Sequence, residues 1–218
     1  MEVNPHPRAN SVANRTMEYY RRWGIADALV AAGIPPEKPA DYYWVSSLAG
    51  REIHRLSLPS QADLEARRRV TPFSPGERLH WSPYIKCNVG QDEVETILCA
   101  HLDGLARTSL RRGLRFESFF EHSDHVATTV VNAKNGYEET IRSKYVVGCD
   151  GGRSKVRAQL GISLEGEGNL AEFVSVYFRA PELMAAHRFG PANIYFPLHR
   201  RHAGYLINWD REIGRAHV

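Results

Sequence analysis

The feature that most constrains the fold is an apolar run that ends in a glycine turn. The run Tyr145-Val146-Val147-Gly148-Cys149 is apolar on both faces, which is typical of a strand buried in the centre of a sheet. It ends at Asp150-Gly151-Gly152, and residues 154–160 have the pattern of a short helix. A strand, a turn and a helix in this order predict an α/β fold, in which ligands bind at the carboxyl ends of strands.

The turn carries groups that suit a phosphate. Gly151 lets the backbone approach a ligand closely, and Ser154 stands at the helix start. Arg157 supplies a planar fork of donors. Asp150 has two open interpretations, because it could accept hydrogen bonds from a ligand or cap the helix that follows.

Hydrophobic spacing predicts the elements on either side of this turn. Helices are expected at 11–23, 25–32, 91–105 and, briefly, 182–186. The polar, arginine-rich and proline-punctuated stretch 59–83 is predicted to be a long surface loop. Strands are expected at 42–48, 51–58, 114–121, 125–133, 137–147, 173–178, 192–196 and 204–209. The first two flank Ala49-Gly50 as a hairpin, and Asn135-Gly136 predicts a type I′ turn.

Three segments, the glycine turn among them, point to a known family. They are HPRANSVANRTMEYYRRWGIADAL, GQDEVETIL and YVVGCDGGRSKVR, in this order. Together they resemble the class A flavoprotein monooxygenases. These are FAD-dependent aromatic hydroxylases that include phenol, dichlorophenol and hydroxybenzoate hydroxylases and polyketide-tailoring oxygenases. The similarity extends over residues 4 to 210.

The resemblance implies an α/β fold with two parts. Residues 1–161 would form an incomplete, Rossmann-like, three-layer FAD/NAD(P)-binding domain, with an inserted strand and loop region at about 40–85. Residues 162–211 would begin a substrate-binding domain built on an antiparallel sheet, and a shift in composition near 161–170 supports that boundary. Residues 212–218, EIGRAHV, are encoded by one frame of a common sequencing adapter and are expected to be a non-native tail.

The resemblance also implies cofactor contacts. Arg8 matches an arginine that contacts FAD, and Gln91 matches a glutamine that hydrogen-bonds the ribityl region. Asp150 matches an aspartate that serves FAD and the nicotinamide cofactor, and Arg157 matches an arginine that braces the turn and helps NADPH. The expected cofactor-binding set is Arg8, Gln91, Asp150, Gly151, Ser154 and Arg157.

A substrate pocket is expected among the aromatic strands near the end of the chain. Tyr195, Phe196 and Trp209 are its candidate wall residues, although core packing is the better interpretation for at least two of them. No catalytic residue and no metal ligand is assigned from the sequence.

One motif of the family does not occur. The chain contains no G-x-G-x-x-G turn between a strand and a helix. We therefore expect a chain that lacks the first βαβ unit and the C-terminal part of the family, and that binds FAD poorly by itself.

The reaction implied by the resemblance uses FAD as cofactor and NAD(P)H as co-substrate. NAD(P)H reduces FAD, dioxygen adds to the reduced flavin, and the resulting hydroperoxide transfers one oxygen atom to a phenolic ring. The partners would be a small aromatic substrate and O2. Two alternatives stay open: a related FAD-dependent halogenase or reductase, and an inactive fold without bound cofactor.

Composition and motifs argue against other classes of protein. Lys and Arg number 28 against 25 Asp and Glu, and the basic run 67–69 lacks interleaved aromatics, so no nucleic-acid site is expected. Three separated cysteines indicate free thiols, and no 18-residue apolar stretch occurs, which predicts a cytoplasmic protein without a membrane partner. The pairs His122/His125 and His199/His202 have metal-like spacing but no completing ligands, which favours surface histidines.

Overall fold

The structure is a computed structural model that describes residues 9–74, 78–168, 172, 174–184, 186–199, 202–208 and 215–217. The helices are α1 (Asn14–Arg22), α2 (Ala26–Ala32), α3 (Gln61–Val70), α4 (Gln91–Asp103) and α5 (Lys155–Gln159), with 3₁₀ turns at Arg78–His80 and Pro181–Met184. The strands are β1 (Tyr42–Val45), β2 (Glu52–Leu56), β3 (Leu114–Glu121), β4 (Val126–Asn132), β5 (Glu138–Ser143), β6 (Tyr177–Arg179), β7 (Ile194–His199), β8 (His202–Ala203), β9 (Leu206–Asn208) and β10 (Arg215–His217).

The chain divides into two compact units. Unit 1 spans 109–172, and unit 2 combines 2–108 with 173–218. Unit 1 holds β3, β4, β5 and α5, and unit 2 holds the remaining elements.

The helical part of unit 2 is built on the apolar stripes of α1, α2 and α4, which confirms the three predicted helices. The buried residues of this cluster are Val12, Met17, Tyr20, Ile25, Ala26, Leu29, Cys87, Val89 and Val94. An extended segment before α1 pairs with the segment before α4. The Val12 N–H donates to the Cys87 carbonyl at 2.7 Å, and the Gln91 N–H donates to the Ala9 carbonyl at 2.9 Å. This pairing ties the start of α4 to residue 9.

The prediction of a continuous surface loop over 59–83 is wrong, because α3 lies within it. Ser60 and Asp63 form a capping box, in which Ser60 Oγ accepts from the Asp63 N–H at 3.1 Å and the Asp63 carboxylate accepts from the Ser60 N–H at 3.0 Å. These hydrogen bonds lower the pKa of Asp63. No glycine or proline interrupts the ten residues that follow Ser60, so the capped segment continues as a helix.

A mixed sheet forms the second part of unit 2, in the order β2-β1-β7-β9-β10-β6, with β8 paired to β7. The predicted hairpin is confirmed, since β1 and β2 pair antiparallel with Tyr42 opposite Leu56. β1 also pairs with β7, and this pair is parallel, whereas β6, β8, β9 and β10 pair antiparallel, so the sheet is mixed through its contact with β1. The β1–β7 pair joins the region near residue 42 to strands about 150 residues later in the chain.

One face of this sheet is a second core. Tyr43 and Val45 on β1 and Tyr195 on β7 point to the same side and are buried with Phe189 and Ala192. Successive side chains of a strand point to opposite faces. The intervening residues of β1 and β7 therefore belong to the other face.

Unit 1 is built on the antiparallel sheet β3-β4-β5, which confirms the three predicted strands. The hairpin at Asn135-Gly136 is confirmed, but it is not the two-residue type I′ turn. The Asn132 N–H donates to the Tyr137 carbonyl at 2.8 Å, so four residues lie between the paired ends. Gly136 has φ +71°, and the Asn135 side chain accepts from the Tyr137 N–H at 3.0 Å. The asparagine hydrogen bond favours this wider loop.

The prediction of a buried central strand at 145–149 is also wrong. β5 ends at Ser143, and the following apolar residues form no strand. Tyr145 is 85% exposed and Val147 is 81% exposed. A strand exists only where a neighbour pairs with its backbone, and among the described residues no strand pairs with this segment.

Candidate functional site

The Asp150 turn of unit 1 is held by its own side chains. One Asp150 carboxylate oxygen accepts from the Ser154 hydroxyl at 2.5 Å. The other accepts from the N–H groups of Lys155 at 2.7 Å and Val156 at 3.3 Å. Ser154 Oγ in turn accepts from the Arg157 N–H at 3.0 Å. Asp150 and Ser154 therefore cap α5 together, which is the second of the two interpretations of Asp150.

The hydrogen bond from Ser154, followed by those from the backbone, lowers the pKa of the Asp150 carboxyl. The charged carboxylate is thus the form that the turn stabilises. Ser154 itself is only 8% exposed, whereas Asp150 is open to solvent.

Glycines give the turn its tight path and its open outer side. Gly151 has φ +80°, a left-handed conformation that favours glycine. A Cβ placed on Gly151 or Gly152 would meet no atom within 4 Å, so the backbone there is accessible. A Cβ on Gly148 would lie 2.9 Å from Val156, so that position requires glycine for the close approach of α5. Arg157 Nη2 donates to the Gly152 carbonyl at 2.9 Å and braces the turn.

α5 is fixed to the edge of the three-stranded sheet by polar contacts. The Gln159 amide donates to the Phe119 carbonyl at 2.5 Å and accepts from the Phe119 N–H at 3.0 Å. Lys155 Nζ lies 3.0 Å from a Glu117 carboxylate oxygen, and this hydrogen bond lowers the pKa of Glu117. The Asp150 turn is therefore positioned by its own capping bonds and by β3.

Gln91 stands at a different kind of helix start, in unit 2. α4 begins after Gly90, which provides no side-chain cap. The Gln91 amide Nε2 donates to Glu95 Oε1 at 2.7 Å, one turn along the same helix. Arg8 lies outside the described residues, and its chain neighbour Ala9 is the residue that accepts the Gln91 N–H.

The three aromatic candidates have different surroundings. Tyr195 is 5% exposed, its ring lies 5.6 Å from Tyr43, and its hydroxyl donates to the Gly190 carbonyl. Burial raises the pKa of the Tyr195 phenol. Phe196 points to the opposite face of the sheet and is half-buried, so these two side chains cannot line one pocket. Trp209 lies outside the described residues.

Phe196 belongs to a row of rings that the sequence analysis did not single out. The row crosses β2, β1 and β7 and ends at the residue just before β9, and it consists of His54, Trp44, Phe196 and Tyr205. Neighbouring ring centroids are 5.5, 5.1 and 6.2 Å apart. We call this set the aromatic row. The sequence pattern of β1 could have indicated it, because the aromatic Tyr42 and Trp44 alternate with the buried Tyr43 and Val45 and therefore share the other face.

The remaining candidate reactive groups are a buried cysteine and two histidines in a turn. Cys87 is buried beside the Leu29 carbonyl, and burial raises the pKa of its thiol to about 11. The rings of His122 and His125 stack in the turn between β3 and β4, with centroids 4.3 Å apart, and His125 Nδ1 lies 2.7 Å from Asp124 Oδ1.

Within the part of the chain that the structure describes, no three His, Cys, Asp or Glu side chains are grouped to hold a metal ion. No described helix is both long and apolar enough to cross a bilayer.

Comparisons with known proteins agree over nearly the whole chain. A family model described as FAD binding domain matches residues 2–217. The chain is 35% identical over 179 residues to FAD-dependent monooxygenase opdD of Penicillium oxalicum, which covers 81% of this chain and 33% of the relative. It is 32% identical over 204 residues to 4-methyl-5-nitrocatechol 5-monooxygenase of Burkholderia sp., covering 92% of this chain and 34% of the relative.

A solved structure is similar as well. The ternary complex of aklavinone-11 hydroxylase with FAD and aklavinone superimposes with a TM-score of 0.79 at 28% identity, covering 98% of this chain and 38% of that one. The chain thus spans about a third of the length of the curated relatives that it matches.

Proposed function

The chain belongs to the class A FAD-dependent aromatic monooxygenases, and from this membership we propose that the full-length protein hydroxylates a phenolic ring with FAD, NAD(P)H and O2. The observation that carries the proposal is the family match over residues 2–217. The relatives' names support an aromatic substrate, since one acts on a nitrocatechol and another was solved with aklavinone.

The donor set of the chain suits a flavin dinucleotide. Arg157 supplies guanidinium donors next to the accessible backbone of Gly151 and Gly152, and such donors match phosphate and ribose oxygens. Gln91 supplies an amide at the start of α4. We assign these residues, together with Arg8, to FAD and the nicotinamide cofactor.

Asp150 and Ser154 have a narrower role in this assignment. Their side chains already accept the N–H groups of Lys155, Val156 and Arg157, so these donors do not serve a phosphate. We therefore assign Asp150 and Ser154 to holding the turn that presents Gly151 and Arg157. FAD, reduced by NAD(P)H, supplies the activation of dioxygen when it is bound.

We further assign residues 1–161 to the FAD-binding domain, apart from the inserted region at about 40–85, and residues 162–211 to the start of the substrate domain. The pairing of β1 with β7 supports placing the strands of the inserted region with the substrate sheet. The half-buried face that carries Phe196 supports an apolar wall that keeps water from the reacting ring.

The test uses the full-length protein with FAD, NAD(P)H and ¹⁸O2. We expect NAD(P)H oxidation to depend on an added phenol, and one ¹⁸O atom to appear in the hydroxylated product. Formation of a halogenated product that depends on added halide would contradict the proposal and favour the halogenase alternative. Oxidation of NAD(P)H at a rate that phenols do not change would also contradict it and would favour the reductase alternative. A titration of the 218-residue chain with FAD, compared with the same titration of the full-length protein, tests the expectation that the chain binds FAD poorly by itself.

A matched pair of variants tests the assignment of the turn. Arg157→Gln removes the bracing guanidinium, and Arg153→Gln removes an exposed guanidinium two residues after Gly151. We expect the KM for NAD(P)H to rise about tenfold in the first variant, because a charge-assisted bond is lost, and to stay unchanged in the second. Equal effects of the two variants would contradict a specific role for Arg157.

A further inference from the structure

We propose that His122 and His125 form a binding site for a divalent transition-metal ion at the tip of the β3–β4 hairpin, where the ion ties the two strands together. The site lies in unit 1 and shares no residue with the Asp150 turn or with the cofactor contacts assigned above. The two imidazoles are the protein ligands, and water completes the coordination of the ion.

Strand register brings the two histidines together. Glu121 on β3 is paired with Val126 on β4, so His122 and His125 are the next pair toward the turn. The His122 N–H donates to the His125 carbonyl at 2.8 Å, which closes a hairpin with two residues between them. Opposite residues of an antiparallel pair share one face, with Cβ atoms about 5 Å apart. The hairpin therefore places two imidazoles side by side.

The two rings are close enough to share one ion. They stack with centroids 4.3 Å apart, and their planes differ by 11°. Two imidazole nitrogens that each lie about 2.1 Å from one tetrahedral ion are about 3.4 Å apart. His122 is exposed at the tip of the hairpin, so a rotation of its side chain can bring the nitrogens to this distance.

A carboxylate prepares His125 for a metal ion. His125 Nδ1 lies 2.7 Å from Asp124 Oδ1. An ionised carboxylate only accepts hydrogen bonds, so Nδ1 carries the proton and Nε2 carries the lone pair that a metal ion needs. Histidines that bind metals commonly donate their other N–H to a carboxylate, which fixes the tautomer and the ring orientation. Asp124 is thus a positioning residue, and its negative charge also attracts a cation.

A second histidine pair with the same spacing provides a comparison within the chain. His199 on β7 is paired with His202 on β8, again across a connection of two residues. That connection is Arg200-Arg201, whereas the first is Ser123-Asp124. Two arginines repel a divalent cation, and the second pair has no carboxylate between its histidines. The charge of the connection therefore distinguishes the two pairs, although their spacing is the same.

The ligands determine the class of ion. Imidazole nitrogens suit Cu²⁺, Ni²⁺ and Zn²⁺, whereas Mg²⁺ and Ca²⁺ require oxygen ligands. Within the described residues, no third His, Cys, Asp or Glu side chain joins the pair as a ligand. Affinity among the divalent ions is highest for Cu²⁺, which makes it the most sensitive probe of a site with two protein ligands.

A bound ion stabilises the strand that positions the Asp150 turn. β3 is hydrogen-bonded to Gln159 and Lys155 of α5, and its last residue, Glu121, directly precedes His122. An ion that binds the closed hairpin and not the separated strands stabilises the closed form. Occupancy of the site should therefore slow the opening of the β3–β4 hairpin, which hydrogen exchange measures.

The experiment titrates the 218-residue chain with Cu²⁺ and with Mg²⁺, without a histidine tag, FAD or NAD(P)H. All variants carry Cys149→Ser, because the exposed Cys149 thiol would itself bind Cu²⁺. We expect one tight Cu²⁺ site per chain, an EPR spectrum with splitting from two nitrogens, and no binding of Mg²⁺. Amide exchange should slow at the ends of β3 and β4 next to the turn.

Four variants locate the site. His122→Gln and, separately, His125→Gln should each weaken Cu²⁺ binding at least about tenfold, because the second imidazole binds at a high effective concentration once the first is engaged. Asp124→Asn keeps both imidazoles and should weaken binding about tenfold, while the EPR spectrum still shows two nitrogens. His199→Gln is the matched control and should leave the affinity unchanged.

Unchanged Cu²⁺ affinity in a folded His122→Gln or His125→Gln variant would overturn the proposal. An equal loss in His199→Gln, or splitting from fewer than two nitrogens, would also overturn it. An Asp124→Asn variant that binds like the wild type would contradict the positioning role of the carboxylate. Should one histidine variant fail to fold by circular dichroism, the other decides. Because neither flavin nor phenol is present, the result does not depend on the proposed function.

Discussion

The two helix starts that carry predicted cofactor contacts are stabilised in different ways. α5 begins at a turn whose own residues, Asp150 and Ser154, accept its first N–H groups. α4 begins after Gly90 without a side-chain cap, and its Gln91 N–H donates to the carbonyl of Ala9, 82 positions earlier in the chain. α4 also packs Val94 into the helical core of unit 2.

The difference separates residues that hold the fold from residues that could contact a ligand. The polar atoms at the start of α5 are engaged in the turn, so their removal should first affect stability. The Gln91 side chain donates to Glu95 along α4, while packing and backbone pairing hold the helix. Its removal should affect ligand binding more than folding.

The largest expected effect is at the close approach of the turn to α5. Gly148→Ala places a Cβ 2.9 Å from Val156 and should destabilise unit 1 by about 1–3 kcal/mol. Urea denaturation measures the change. Gly152→Ala is the matched control, because a Cβ there meets nothing, and it should leave stability unchanged or slightly higher. Val156→Gly removes every Val156 atom that the added Cβ would meet, so additive losses of stability in the Gly148→Ala/Val156→Gly double variant would contradict the steric explanation.

The next effect concerns the buried cap. Ser154→Ala removes the acceptor of the Arg157 N–H and the donor to Asp150, and should lower the free energy of unfolding by about 1 kcal/mol. Thermal and urea unfolding measure the loss. Ser154→Thr retains the hydroxyl and should recover most of it. A Ser154→Ala variant as stable as the wild type would show that α5 does not depend on its cap.

A smaller effect is restricted to acidic pH. Because the Ser154 bond lowers the pKa of Asp150, the carboxylate stabilises the turn above the ordinary Asp pKa, near pH 4, and this stabilisation is lost as the pH falls through the lower folded value. The wild type should therefore exceed Asp150→Asn in stability at pH 7, and the two should converge as the pH falls below the ordinary Asp pKa. A difference in stability that stays constant from pH 7 into this acidic range would show that the carboxylate does not stabilise the turn.

The smallest expected effect is at the start of α4. Gln91→Ala removes a local hydrogen bond to Glu95, and such pairs contribute about 0.2–0.5 kcal/mol. The free energy of unfolding of the chain should therefore change little, while the affinity of the full-length protein for FAD falls. Glu95→Ala removes the same bond from its other side and is the control for a purely local effect. A large loss of stability in Gln91→Ala would place Gln91 with Asp150 and Ser154 as a fold-holding residue.

Local patterns predicted the elements whose stability depends on nearby residues. The apolar spacing of Met17 and Tyr20 predicted α1, and the β-rich runs on either side of Asn135-Gly136 predicted the β4–β5 hairpin. α3 was missed although its signal was present, since Ser60 and Asp63 have the spacing of a capping box. The arginines and prolines around it obscured that short-range signal.

The candidate site was predictable in part for the same reason. The turn from Asp150 to Arg157 is local, so its glycines and its place before a short helix could be recognised from spacing, whereas the bracing role of Arg157 was implied by the family resemblance. The exposure of 145–149 could not be predicted, because an apolar run is buried only where other elements cover it. Whether Asp150 caps the helix or faces outward also required the hydrogen-bond geometry.

By itself, the sequence determined α1, α2, α4 and α5, the hairpins, the Asp150 turn and the family, because each depends on residues close together in the chain or on a motif. The tertiary structure decided that β1 lies parallel to β7, and thus that Trp44 stacks on Phe196 while Tyr195 is buried beneath them. Alternation within a strand predicts which side chains share a face, but not which distant strand lies beside it. That choice depends on the packing of the whole sheet, and it creates the aromatic row.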